Sequence, residues 1–206
     1  MAITTLSEYK TFAGISGTGD DTALAVMLTV AQDMAERHCN RLFDSSSRTQ
    51  VYDGRGTKIL QVNAYPVTAV SSIWVTDAEG DTVWTLDTTE YKYEAASGIF
   101  TLTPKFGSGI DFPDYPWYMS SSFPNDAQNV NITYTGGYTS APDTLKRAIW
   151  SIVNWLFATR RADPHVVSES IGSYSVTFAN DTGVFASGGP LGRVGLVLSQ
   201  FVRGMS

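Results

Sequence analysis

The chain has 206 residues, 20 Asp and Glu against 14 Lys and Arg, 43% hydrophobic and 12% aromatic residues, and one cysteine. That length and apolar content suit one folded domain, or a core with an insertion, and exclude a wholly disordered chain. A charge of −6 with no basic run longer than Arg160-Arg161 argues against a strong cationic grip on DNA, the lone Cys39 rules out an intrachain disulfide, and no apolar stretch of about 18 residues is present to span a membrane.

Leu6, Tyr9 and Phe12 predict a short helix over Thr5 to Phe12, ended by Gly14 and the Gly17-Thr18-Gly19 turn. From Asp20 to Cys39, Leu24, Met27, Leu28, Ala31, Met34, Ala35 and His38 recur at three- and four-residue spacing, the stripe of an amphipathic helix, with Asp20 or Asp21 as its cap. After Asn40 the pattern changes to short runs rich in Val, Ile, Thr, Tyr and Trp. These are Arg48 to Tyr52, Lys58 to Val62, Ser71 to Thr76, Thr82 to Leu86, Tyr91 to Glu94, Ile99 to Leu102 and Val130 to Tyr134, separated by turn signals such as Asp53-Gly54 and Glu79-Gly80-Asp81. Strands so short and closely spaced predict antiparallel hairpins.

Residues 104–129 hold four prolines together with Phe106, Phe112, Tyr115, Trp117, Tyr118, Met119 and Phe123, a loop too apolar to be a solvated linker. Helical spacing returns at Leu145, Ala148, Ile149, Ile152, Val153 and Leu156, with Pro142 in the first turn and Arg160-Arg161 at the negative helix end. Ile171, Tyr174, Val176 and Phe178 alternate as a lone strand or extended arm. A glycine-rich stretch from Gly183 to Gly195 then leads to a last short helix with Val194, Val197, Leu198 and Phe201. The fold class expected is α+β, a small helical bundle made of residues 1–44 and 136–206, with an antiparallel all-β module inserted at 45–135 and an arm at 168–180.

The residues offer little chemistry. His38 and Cys39 are neighbours on one helix, where side chains point about 100° apart and do not hydrogen-bond to each other; His165 follows Asp163-Pro164 in a turn. Asp77, Glu79 and Asp81 sit at a hairpin tip, where solvated charge is the ordinary expectation, and Gly17-Thr18-Gly19-Asp20-Asp21 lacks the lysine of a phosphate loop. No catalytic residue, metal site or cofactor is expected. Trp74, Trp84 and Trp117 suggest a stacking platform for sugar rings, against the plainer reading that strand aromatics fill a core.

Three segments in order resemble the bacteriophage head-to-tail connector (adaptor, head completion) proteins. They are Leu6 to Ile15 with the helix ending Ala35-Glu36-Arg37-His38-Cys39-Asn40-Arg41-Leu42-Phe43; Val130 to Tyr138 followed by Ala141 to Ala148; and Glu169 to Phe178 with the closing Leu198 to Arg203. The resemblance implies a structural component of the virion neck and no enzyme. It implies a ring of twelve copies bound to portal and to a tail or head-closure protein, assembled in the host cytoplasm, with duplex DNA sliding through the lumen without specific binding and no membrane. Expected subunit or portal contacts are Ile171, Tyr174, Val176, Phe178, Phe201 and Arg203. Expected contacts in the aromatic loop are Phe112, Tyr115, Trp117, Tyr118 and Phe123. The alternative is a carbohydrate-binding or other decoration module of the virion.

Overall fold

A computed structural model describes residues 3–103, 122–160, 184–186 and 189–204, with the backbone of 168–171 and 174–177. The fold is α+β. The chain divides into two compact units, one of residues 42–139 and one in which residues 2–41 join 140–203.

The second of these units is helical. Helix α1 (Leu6–Ala13) starts at Thr5, whose hydroxyl accepts from the Glu8 N–H while the Glu8 carboxylate accepts from the Thr5 N–H. This reciprocal cap satisfies two otherwise orphaned donors, and Gly14 closes the helix at a left-handed φ of 68°. Helix α2 (Asp21–Cys39) buries Leu24, Leu28, Ala31 and Ala35 of the predicted stripe and Cys39 beside it, whereas Met27 and Met34 are half-buried and His38, expected on the stripe, is exposed. Asp20 is its N-cap residue and its carbonyl accepts from the Leu24 N–H, but neither aspartate side chain makes the cap hydrogen bond expected of it. Asp20 pairs with Arg160 at 3.6 Å and Asp21 with Lys10 at 2.7 Å, so both carboxylates serve tertiary ion pairs.

Helix α3 (Asp143–Thr159) buries Leu145, Ala148, Ile149, Ile152 and Val153. Pro142 is its N-cap residue, and the Pro142 carbonyl accepts from the Leu145 and Lys146 N–H groups. At its far end the Arg160 guanidinium lies 3.5 Å from the centre of the Phe157 ring. Helix α1 and Thr4 just before it are held to α3 by side-chain contacts. Lys146 donates to Glu8 at 2.6 Å, Tyr9 to Asn154 at 2.7 Å and Trp150 to Thr4 at 2.9 Å, while Phe12 stacks on Trp150 with centroids 4.7 Å apart.

The β unit has two antiparallel sheets. Strands β1 (Ser46–Tyr52), β3 (Val67–Thr76), β4 (Thr82–Thr85) and β7 (Val130–Gly136) form one in the order β1-β7-β3-β4. Strands β2 (Ile59–Gln61), β5 (Tyr91–Glu94) and β6 (Ile99–Leu102) form the other in the order β2-β6-β5. Only β3–β4 and β5–β6 are neighbours in sequence; β1 and β2 find their partners across long stretches of chain, which corrects the picture of successive hairpins. The sheets share one core of Leu60, Val62, Phe100, Ile73, Ile132, Tyr134 and their neighbours. Phe123, expected on a partner-contacting loop, belongs to this core: it is fully buried, and its N–H donates to the Thr57 carbonyl.

The arm is not a lone strand. Tyr174–Thr177 (β9) pairs with Ser168–Ile171 (β8) as an antiparallel hairpin, with Ile171 opposite Tyr174 and Glu169 opposite Val176. Short helix α4 (Gly192–Leu198) and a 3-10 turn at Ser199–Phe201 are the last described elements, with Leu191 and Leu198 buried. The described part of the glycine-rich stretch is tightly packed. A Cβ on Gly195 would lie 2.5 Å from the Phe185 carbonyl oxygen, and the Leu191 N–H donates to the Val184 carbonyl.

Candidate functional site

Cys39 and His38 do not form a nucleophile and base. Cys39 is fully buried on the inward stripe of α2, and its thiol lies 3.4 Å from the Leu198 carbonyl oxygen. Burial pushes the thiol up to about 11, so it is protonated at neutral pH and has no nucleophilic thiolate to offer. His38 is exposed and rests its ring on Phe185, with centroids 4.5 Å apart. His165 lies outside the described residues.

Among the described residues no cluster of His, Cys, Asp and Glu is placed to hold a metal ion. Asp77, Glu79 and Asp81 surround the β3–β4 turn. There the Asp77 carboxylate accepts from the Asp81 N–H at 2.8 Å, a local staple for the turn. The aspartates after Gly17-Thr18-Gly19 pair with Lys10 and Arg160, and their negative charge would repel a phosphate.

The proposed tryptophan platform fails on register. Paired residues of neighbouring strands share a face of a sheet, and successive residues alternate. Trp84 is opposite Val75 and packs on the core, whereas Trp74 is opposite Thr85 and Asn131 and so lies on the other face. The two rings therefore cannot stack on one sugar. Trp117 lies outside the described residues.

Of the expected contact residues, Ile171, Tyr174 and Val176 belong to the β8–β9 hairpin, which among the described residues forms a two-stranded sheet of its own. Each of its strands therefore presents an outer edge, and an open edge is a template for strand addition. Phe201 and Arg203 are half-buried and already engaged, and the Arg203 N–H donates to the Cys39 carbonyl at 2.9 Å. Phe112, Tyr115, Trp117, Tyr118 and Phe178 lie outside the described residues.

One feature of the helical unit was missed in the sequence. Helices α3 and α4 together line an open groove of about 330 Å³. Ala148, Val194 and Val197 are its apolar lining; Thr144, Arg147 and Arg193 add polar groups. Thr144, Arg147 and Ser151 follow one another at helical spacing, which was a visible signal, but nothing in the sequence says that α4 packs beside them. The described structure contains no helix long and apolar enough to cross a membrane.

Comparison with known proteins bears on what such surfaces serve. The model of the head completion protein family matches residues 2–108, a span that takes in α1, α2 and strands β1 to β6. Among solved structures, a chain in the neck of an empty gene transfer agent particle, computed with C6 symmetry, superposes with a TM-score of 0.59 at 14% identity. That match covers 99% of this chain and 91% of the other. A chain from the virion of the native gene transfer agent particle gives a TM-score of 0.58 over the same shares of both chains, again at 14% identity. One from the native neck computed with C12 symmetry gives 0.57 at 14% identity, over 98% of this chain and 89% of that one. At such identity the likeness is one of fold. No curated protein matches the chain in sequence.

Proposed function

The chain belongs to the head completion protein family, and from that premise we propose that it is the head-to-tail connector of a phage-like particle, a ring of twelve copies between portal and tail. The observation that carries this reading is the family match over residues 2–108, more than half of the chain. The fold likeness to neck chains of the gene transfer agent supports it, since that likeness runs nearly the full length of both proteins. The ring encloses duplex DNA without gripping it; the net charge of −6 suits a lumen through which DNA slides. The protein performs no catalysis, and its only thiol lies buried and protonated.

In this reading the β8–β9 hairpin is the bridging element. It adds a strand edge to a neighbouring copy or to portal, with Ile171, Tyr174 and Val176 on the strands that make the contact. Removing everything after residue 167 is a poor test of that role, because it also deletes α4, whose Leu198 is part of the helical core. Replacing residues 168–178 by a short Gly-Ser linker spares that core. The linker variant should fold and fail to join portal-bearing particles in negative-stain micrographs. Undiminished joining removes the bridging role.

A further inference from the structure

The charges of the chain are unevenly divided. Residues 42–139 carry 11 Asp and Glu against 5 Lys and Arg, whereas the rest of the chain carries nine of each. The whole net charge of −6 therefore resides in the β unit.

Within the helical unit most described cations are engaged. Lys10 pairs with Asp21, Lys146 with Glu8, Arg37 with Asp33 and Arg160 with Asp20, and Arg41 and Arg203 are also occupied. Arg147 and Arg193 are left without a partner among the described residues, and both line the α3–α4 groove. Asp143, one turn before Arg147 on α3, makes no ion pair with it.

The carboxylates of the β unit divide in the same way. Asp44 holds Arg48, Asp53 accepts from the Gln128 N–H, Glu94 from Ser97 and Asp126 from the Ala127 N–H, while Asp87 and Glu90 are engaged with each other's loop. Glu79 and Asp81 are the two described carboxylates of that unit with no hydrogen-bond or ion-pair partner. Both are exposed at the β3–β4 turn, which Asp77 staples into shape. Two free guanidiniums thus lie along an apolar groove, and two free carboxylates lie two residues apart on a stapled tip.

We propose that the α3–α4 groove of one copy receives the β3–β4 turn of a second copy, with Glu79 and Asp81 set against Arg147 and Arg193. The contact uses different surfaces on the two copies, so it is head-to-tail and propagates round a ring when the rotation closes. It rests on the neck reading for the ring that it helps to close. Exposed ion pairs contribute little individually, so the charges mainly select the register of docking, and the Ala148, Val194 and Val197 lining supplies apolar contact. Added salt weakens the pairing.

The introduced pair E79C/R193C tests this in portal-bearing particles, and the buried Cys39 leaves the native background silent. Mild oxidation should give a ladder of disulfide-linked dimers, trimers and higher species. A single band of shifted monomer overturns the proposal, because the turn then sits in the groove of its own chain. Charge reversal supplies the second arm: R147E/R193E and E79K/D81K should each weaken joining about tenfold, and the combined variant should recover most of it. If R147E/R193E joins normally but no longer binds a short DNA duplex that the unchanged chain does bind, the groove is a phosphate site and the proposal fails. An unchanged chain that joins particles while E79C/R193C gives no ladder contradicts the docking and leaves the neck reading standing. An unchanged chain that never joins contradicts both.

Discussion

Tyr134 is buried in the β unit with its hydroxyl donating to Gln50 Oε1 at 2.6 Å and accepting from the Ala64 N–H at 3.1 Å. Tyr134→Phe keeps the ring and leaves that N–H without its acceptor, so it should cost about 1–3 kcal/mol in urea unfolding. A variant as stable as the parent would show that the network contributes nothing. Glu8 gives a pH signature at the same scale. The Lys146 ammonium, with the Thr5 N–H, holds its carboxyl down at about 2 in the folded chain, against about 4.3 for an ordinary glutamate. The unfolded chain binds this proton first, so the stabilisation is complete above about pH 4.3 and is lost as pH falls through about 2. Melting temperatures of the parent and Glu8→Gln should differ at pH 6 and converge toward pH 2; a constant gap contradicts the assignment. Cys39 should stay silent to thiol reagents at pH 8 until the helical unit opens, because its thiol is buried and raised to about 11. Fast labelling of the native chain would show a different packing of α2.

Elements were legible where a single chain segment carries its own signal. Leu24, Leu28, Ala31 and Ala35 of one stripe and Leu145 to Val153 of the other lie on the buried faces of α2 and α3, while His38 and Leu156 at the stripe ends do not, and β5 and β6 begin and end where their composition predicts. What failed to show was anything decided by a distant partner. β1 pairs with β7, Ser46 opposite Gly136, and no local pattern announces that register. Ser168–Ile171 is polar and without alternation, so β8 is visible only once β9 lies beside it. Phe123 is aromatic in sequence and core in structure, because burial depends on what the other sheet supplies, whereas Trp84 packs on the core as the plainer reading of strand aromatics has it. Gly195 is another such position. Its missing side chain lets α4 approach the Phe185 backbone, and Gly195→Ala should cost about 1–3 kcal/mol by thermal unfolding as the helix is displaced. A neutral substitution would mean that α4 shifts freely.

For the molecule as a whole, the surfaces best explained are those that need a second body. The hairpin of β8 and β9 presents strand edges, the α3–α4 groove keeps two unpaired arginines, and the acidic surplus belongs to the β unit alone. Of the described residues that looked chemical in sequence, Cys39 is buried, Asp77 staples the β3–β4 turn, and Asp20 and Asp21 are ion-paired, while Glu79 and Asp81 stay exposed for a partner. The family match runs through β6, so it takes in strands of the β unit as well as α1 and α2.

The most direct measurement is cryo-electron microscopy of portal-bearing particles assembled with and without this chain. The account requires a ring of density on the portal axis into which this fold fits, present only when the chain is supplied. A bare portal in both preparations, or the chain bound elsewhere on the capsid, would contradict it.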